Sequence, residues 1–114
     1  MICNDVEKLV EPFRSLIKKL MAEIESKGLP FAVYETWRLQ KRQDELYKTG
    51  KSKILNSKHC QGKACDIVHK INGKWDWSDI KAYQQLGAIV AEYPELTWGG
   101  SWKTFKDYDH VELA

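Results

Sequence analysis

Residues 57–66 read Ser-Lys-His-Cys-Gln-Gly-Lys-Ala-Cys-Asp and join a polar segment to an apolar one. Residues 51–62 are rich in Lys, Ser, Asn and Gly, which predicts a long loop. Residues 64–68 are short and apolar, which predicts a strand. We therefore expect His59 at the end of a loop and Asp66 on a strand, seven residues further along.

A second cluster of polar side chains lies near the C-terminus, where residues 107–112 read Asp-Tyr-Asp-His-Val-Glu. Together His59, Asp66 and His110 supply two imidazoles and a carboxylate, and such a set holds zinc with a fourth position open for water. A nearby carboxylate can take a proton from that water. Asp107 and Asp109 are both candidates for this base, and the three-residue spacing to His110 favours Asp107.

Other polar residues close to these clusters are given structural or supporting roles. Glu112 lies two residues after His110 on a predicted strand, so it could orient His110 through a hydrogen bond. As a less favoured alternative, Glu112 could itself be the base. We interpret the third histidine, His69, as structural. Cys65 should face away from Asp66 and enter the core.

A structural zinc site built from cysteine and histidine is a weaker alternative. It would combine Cys60 and Cys65 with His59 and His69, all within eleven residues. Structural zinc sites usually bring together two ligand pairs that are well separated in the chain.

The pattern along the rest of the chain predicts an α+β fold with a small, mostly antiparallel sheet packed with helices. Pro12 suits a first helical position and Ser78 suits a helix cap. The dipeptide at 72–73, Asn-Gly, predicts a hairpin turn. The predicted helices are 12–27, 40–48 and 79–93, and the predicted strands are 31–36, 64–68 with its hairpin, 96–98 and 110–113.

Composition narrows the class of protein without identifying it. The 114 residues, 43% of them hydrophobic, fit one domain spanning 1–114 with its own core. The net charge of +2 is too small to indicate nucleic-acid binding, and no apolar run is long enough to span a membrane. The odd number of cysteines and the absence of a secretory signal predict cytoplasmic synthesis.

Residues 38–63 carry eight Lys or Arg and only two acids. A solvated basic face is one interpretation of this segment, and attraction to an anionic polymer is another. Nucleic acid ranks last, because Tyr47 is the only aromatic residue among these charges.

Four motifs in order resemble the zinc D-Ala-D-Ala carboxypeptidases and dipeptidases and their phage relatives, the L-alanyl-D-glutamate endopeptidase endolysins. Residues 57–66 match S-x-H-x-x-G-x-A-x-D, and residues 107–110 match an acidic residue two spacers before His. Residues 98–102 match W-G-G-x-W. Upstream, residues 35–38 match E-x-x-R and residues 43–50 match Q-x-x-L-Y-x-x-G.

The resemblance implies a hedgehog/DD-peptidase-like fold around a zinc cleft and assigns roles to particular residues. It implies zinc ligands at His59, Asp66 and His110, a general base at Asp107, and at Arg38 an arginine that holds a substrate carboxylate or stabilises the oxyanion. Arg38 could instead be a surface ion-pair partner of Glu35 or Asp44. Substrate contacts are expected at Ser57 and at Trp98, one of the two tryptophans that flank Gly-Gly near the ligand strand.

Three departures from the family pattern are visible, and the first is the presence of Cys60 and Cys65 beside two of the ligands. Leu39 stands where Ser often follows the family arginine. The chain ends in His-Val-Glu rather than the His-x-His of murein endopeptidases, which favours the carboxypeptidase–endolysin branch.

Within that branch we favour an endolysin-type L-alanyl-D-glutamate endopeptidase, a peptidoglycan hydrolase that reaches the cell wall after holin-type release. The alternatives are a D-alanyl-D-alanine carboxypeptidase or dipeptidase and, from a different class, a non-catalytic hedgehog-like zinc-binding module. We expect a monomer with peptidoglycan peptide as its partner, and neither nucleic acid nor stable membrane association.

Overall fold

The computed structural model describes residues 2–52, 54 and 57–114. This part of the chain forms three α-helices and five β-strands, with short 3-10 turns at Val6–Lys8, Lys58–Gln61 and Gly99–Ser101. The helices are α1 (Phe13–Ser26), α2 (Gln40–Lys48) and α3 (Ile80–Val90). The strands are β1 (Phe31–Glu35), β2 (Ala64–Ile71), β3 (Lys74–Asp76), β4 (Leu96–Trp98) and β5 (His110–Leu113).

The strands form one sheet in the order β1-β2-β5-β4, with β3 paired to the far end of β2. Every pairing is antiparallel, which confirms the predicted α+β class. The β2–β5 register places Asp66 directly opposite His110. Two of the three predicted metal ligands are therefore brought together by backbone pairing alone.

The sheet separates the hydrophobic core from the candidate site. On β2 and β5 the side chains of Cys65, Ile67 and Val111 lie fully buried in the core with the apolar faces of α1 and α3. Because successive side chains of a strand point to opposite faces, Asp66 and His110 are on the other face. The prediction that Cys65 faces away from Asp66 is confirmed.

Several predicted boundaries are wrong, and α3 shows why. Its N-cap is Asp79, whose side chain accepts a hydrogen bond from the Ala82 amide at 3.2 Å, and not the predicted Ser78. Ser78 instead donates through its amide and hydroxyl to the Asp76 carboxylate. Ile80, the first residue of α3, is 40% exposed.

The other differences are small. The first helix begins one residue after Pro12, and α3 ends at Val90, where backbone bonds from residues 92 and 93 tighten the chain into turns. The strand predicted to end at residue 68 continues to Ile71 before its Asn-Gly turn. Part of the predicted loop 51–62, at positions 53, 55 and 56, lies outside the described residues.

Across the described residues, no helix combines the length and apolar character needed to cross a membrane.

Candidate active site

A single short turn positions His59. Ser57 caps the 3-10 turn that carries His59, and its hydroxyl oxygen accepts the His59 amide at 3.1 Å. Gly62 ends the turn with φ +70°, a conformation that favours glycine, and a Cβ there would lie 3.2 Å from the Lys8 carbonyl oxygen. The Ser, His and Gly of the first motif are therefore explained by local geometry.

The His59 ring is held by a backbone carbonyl. Its Nδ1 lies 2.8 Å from the Thr36 carbonyl oxygen, which can only accept, so Nδ1 donates. Nε2 is then left as the free nitrogen, and it lies 3.2 Å from Asp66 Oδ1. The ring is 3% exposed, so this orientation is enforced by packing as well as by the hydrogen bond.

Whereas the His59 ring is anchored through its Nδ1, the His110 ring is anchored through its Nε2. Its Nε2 lies 2.8 Å from Glu112 Oε1, and Glu112 is in turn fixed by Lys58 Nζ at 2.9 Å. Its Nδ1 therefore faces Asp66 Oδ1, at 3.5 Å. The sequence pattern suggested Glu112 as an orienting group for His110, and the geometry agrees with it.

The three side chains fit a divalent metal ion. The donor atoms of His59, Asp66 and His110 lie within 4.8 Å of one another. Tetrahedral zinc with bonds of about 2.0–2.1 Å requires donor atoms about 3.3 Å apart, and two of the observed separations are 3.2 and 3.5 Å. Each imidazole is anchored to an oxygen through its other nitrogen, as metal-binding histidines usually are.

The three side chains also interact through their charges. Burial raises the pKa of Asp66, but the neighbouring imidazoles of His59 and His110 outweigh it and hold the pKa well below its ordinary value. Burial lowers the pKa of His110, yet hydrogen bonds to Asp66 and Glu112 raise it to about 9. A metal ion that binds here displaces that imidazole proton.

Arg38 lies in the cleft wall and is far from an ordinary surface residue. Its side chain is 10% exposed; Nη2 lies 2.6 Å from Glu35 Oε1 and 3.7 Å from Asp66 Oδ2, and Nη1 donates to Gln43 at 2.7 Å. The ion pair with Glu35 considered from the sequence is present, but it is buried. Arg38 makes these contacts in place of the ion pair with Asp44 that the sequence also suggested.

The sequence pattern suggested Glu35 as part of a motif and as a surface partner of Arg38, but its role as a buried partner of two arginines was not predicted. It is 2% exposed and also pairs with Arg42 Nε at 2.9 Å. A β-bulge after Val33 places Glu35 opposite Asp66 in the β1–β2 register. Burial raises the Glu35 pKa, but the bonds from Arg38 and Arg42 outweigh it and lower the pKa.

The two candidate bases differ in environment. Asp107 is 40% exposed, lines the cleft, and has Oδ2 3.9 Å from His110 Nδ1. Burial, together with a hydrogen bond to Asp107, raises the pKa of Asp109 to about 10. A protonated carboxyl cannot accept a proton, so this environment favours Asp107 as the base.

The two tryptophans of the W-G-G-x-W motif have different positions. Trp98 donates from Nε1 to the Tyr108 carbonyl at 2.6 Å and packs against the core, and it is not among the cleft-lining residues. Trp102 lines the cleft, with its ring 5.2 Å from that of His110. The structure therefore places Trp102, and not the predicted Trp98, where a substrate could touch it.

The metal-ligand candidates open into a cavity of about 650 Å³, a size typical of ligand sites. Ser57, Arg38 and Asp107 line it as well. Four basic side chains are on its wall, all from the basic segment 38–63: Arg38, Arg42, Lys51 and Lys58.

Two other groups of side chains are of types that can bind a metal ion. One is used in turns, and the other overlaps the candidate site. In one, His69 Nδ1 pairs with Asp76 at 2.9 Å while Asp79 caps α3, so these atoms are already used in turns. The other combines Asp66 with Asp107 and Asp109. Among the described residues, none of these groups contains cysteine, so the cysteine-histidine zinc knot is not formed.

Comparison with known proteins gives the family. The peptidase family described as D-alanyl-D-alanine carboxypeptidase matches residues 49–113. The peptidoglycan L-alanyl-D-glutamate endopeptidase CwlK of Bacillus subtilis (strain 168) is 32% identical, over 96% of this chain and 74% of that protein. The L-alanyl-D-glutamate peptidase of Listeria phage A118 is 30% identical, over 96% of this chain but 39% of the phage protein.

Comparison of the fold with solved structures supports the same family. The crystal structure of the L-Ala D-Glu endopeptidase ChiX of Serratia marcescens matches with a TM-score of 0.79 and 29% identity, over 96% of this chain and 83% of that one. The chain belongs to the D-alanyl-D-alanine carboxypeptidase family of metallopeptidases. The family resemblance seen in the motifs is thereby confirmed.

Proposed function

We propose that this chain is a zinc endopeptidase that cleaves the L-alanyl–D-glutamate bond of peptidoglycan stem peptides. The observation that carries the proposal is the convergence of His59, Asp66 and His110 in a cleft that Asp107 also lines. The names of the relatives in Bacillus and in the Listeria phage, and that of ChiX, support the choice of bond.

The ligand set of the proposed centre consists of His59 Nε2, a carboxylate oxygen of Asp66 and His110 Nδ1. Zinc bound there would polarise a carbonyl group and make a water molecule more acidic. Thr36 and Glu112 fix which nitrogen of each imidazole faces inward. The chain's contribution to the metal is thus a preset geometry and a preset tautomer for each ring.

Asp107 is the proposed base. Its exposed carboxylate accepts the proton of the attacking water and later returns it to the leaving amine. Arg38 lines the same cleft with its guanidinium held by Glu35 and Gln43, so it is oriented before substrate arrives. It would hold a substrate carboxylate or stabilise the oxyanion. Ser57, which lines the same cavity, is a second proposed substrate contact.

D-alanyl-D-alanine carboxypeptidase activity is the second candidate, because the matching family carries that description. The same ligands and base would serve both reactions, so the products have to distinguish them. A non-catalytic zinc-binding module is disfavoured, since binding alone requires neither Asp107 nor Arg38 beside the metal ligands.

The cell wall is the proposed site of action, in line with the names of the relatives. We also propose that the protein acts as a monomer and reaches the cell wall after release through a holin-type pore.

The test of the function is digestion of purified peptidoglycan by zinc-loaded protein, with the products identified by mass spectrometry. We expect new N-terminal D-glutamate from the wild type and a loss of about 10²- to 10⁴-fold in rate for Asp107→Asn, because the base is removed while its shape is kept. Asp109→Asn is the matched control and should retain most of the activity.

Release of D-alanine would instead establish the carboxypeptidase. An intact wall with zinc bound would favour the binding module. Loss of activity in Asp109→Asn but not in Asp107→Asn would reverse the choice of base.

A further inference from the structure

Three aromatic side chains form a connected group, and two of them, Tyr34 and Trp77, line the cleft. The Tyr34 ring stands edge-on to Trp75 at 5.1 Å and to Trp77 at 4.8 Å between centroids. Lys70 Nζ lies 4.5 Å from the centre of the Trp75 ring, so Trp75 is covered on one side by a cation. Trp77 is 52% exposed, so a large part of its indole surface is open to solvent.

This aromatic group belongs to the site face of the sheet. Val33 packs on the core, and at the β-bulge that follows it the chain brings Tyr34 to the cleft side. Tyr34 and Trp77 both line the cavity that contains His59, Asp66 and His110. Packing against the core explains the position of neither residue, whereas substrate bound in the cleft can reach both.

The chemistry of the proposed substrate indicates what this aromatic group could bind. In peptidoglycan the stem peptide is attached through its first residue, L-alanine, to a muramoyl sugar of the glycan strand. One residue spans at most about 3.3–3.6 Å. An enzyme that cuts the bond after L-alanine must therefore accommodate that sugar in the cleft or at its rim.

Sugar rings suit aromatic surfaces. One face of a pyranose presents C–H groups that pack on an indole ring, while its hydroxyl groups stay in water. Trp and Tyr are the side chains that combine a large rigid apolar face with a polar edge. The contact of Tyr34 with Trp77 fixes the indole before ligand binds, which reduces the entropy lost on binding.

We propose that Tyr34 and Trp77 form a subsite for the muramoyl sugar on the L-alanine side of the bond that is cut. This inference rests on the proposed function and adds to it a preference for stems that are still attached to glycan. Trp75, held between Tyr34 and Lys70, is the support of the subsite rather than its surface.

The experiment compares two substrates that share one peptide: free L-Ala-D-Glu-diaminopimelate and the same tripeptide linked to N-acetylmuramic acid. The kcat/KM of each is measured for the zinc-loaded wild type, for Trp77→Ala and for Trp37→Ala. Trp37 is the matched control, because it is 36% exposed but lines a different groove, with Ile2 and Leu39.

We expect the wild type and Trp37→Ala to prefer the muramoyl substrate by about five- to tenfold, the gain typical of one aromatic contact. Trp77→Ala should lose that preference, mainly through a higher KM, while it cleaves the free peptide within about twofold of the wild-type rate. Circular dichroism of Trp77→Ala, matched to the wild type, confirms that the variant is folded.

Equal cleavage of the two substrates by the wild type would overturn the sugar subsite and leave the proposed function standing. So would a preference that survives in Trp77→Ala. Failure of the wild type to cut either substrate after L-alanine would instead overturn the proposed function, and the subsite with it.

Discussion

Glu35 shows how a single buried carboxylate organises the cleft wall. It contacts Arg38 and Arg42, and Arg38 in turn reaches Asp66. An unpaired charge in such a position would be costly, so the acid and its arginines depend on each other. The orientation of Arg38 therefore follows from Glu35 as much as from Arg38 itself.

Replacing Glu35 by Gln should destabilise the protein by about 3 kcal/mol at pH 7, because two arginines lose a buried partner. The folded-state pKa of Glu35 is below its ordinary value of 4.5. Ionised Glu35 therefore stabilises the fold above pH 4.5, and this contribution is lost as the pH falls through the folded-state pKa. The difference between wild type and Glu35→Gln should shrink below pH 4.5.

The measurement is urea unfolding in the presence of a chelator at pH 7 and at pH 3.5. Glu92→Gln is the control, since Glu92 pairs with Lys27 at the surface at 3.7 Å and such pairs contribute little. A Glu35→Gln effect no larger than that of Glu92→Gln would show that the buried pair does not hold the wall.

At the residue scale, the sequence named the metal-ligand candidates, which the structure brings together, and named fewer residues of the cleft wall. His59, Asp66 and His110 stand at motif spacings, and strand pairing then brings two of them together. Glu35 and Trp102 could not be assigned in the same way. Their roles depend on a β-bulge and on the direction a ring takes after a turn, which spacing does not encode.

Among the elements, the turn at Gly99–Ser101 has the tightest steric demands. A Cβ on Gly99 would collide with the Asp107 carbonyl oxygen and lie 3.0 Å from His110 Cβ. A Cβ on Gly100 would collide with the Trp98 ring. The two glycines let β4, the proposed base and a proposed ligand approach one another closely.

Gly99→Ala should therefore displace the segment that carries Asp107. We expect a loss of about 2 kcal/mol in stability from overpacking and a fall of at least about tenfold in kcat, because a small misplacement of a catalytic group is costly. Urea unfolding and steady-state cleavage of the tripeptide measure the two effects.

Ser101→Ala, in the same turn but exposed, should change both quantities little. A wild-type kcat in Gly99→Ala would show that this close approach does not position Asp107.

Element prediction succeeded where a residue pattern acts locally. The charged helix over 40–48 and the strands at 96–98 and 110–113 are confirmed residue for residue. The start of α3 was wrong because Ser78 and Asp79 are both good caps, and the choice depends on Asp76 engaging Ser78.

At the scale of the whole molecule, the two faces of the sheet have different roles. One face packs with α1 and α3 in the core. The other carries Asp66 and His110 and opens into the cleft, whose wall is completed by α2 and by the turn of His59. The sheet therefore separates the candidate catalytic residues from the hydrophobic core that stabilises the fold.

The central claim is that one metal ion binds between His59, Asp66 and His110, and the most direct test is an anomalous difference map from zinc-soaked crystals. We predict one peak about 2.0–2.2 Å from His59 Nε2, an Asp66 carboxylate oxygen and His110 Nδ1. A peak at His69, Asp76 and Asp79 instead, or no peak among the three proposed ligands, would contradict the account.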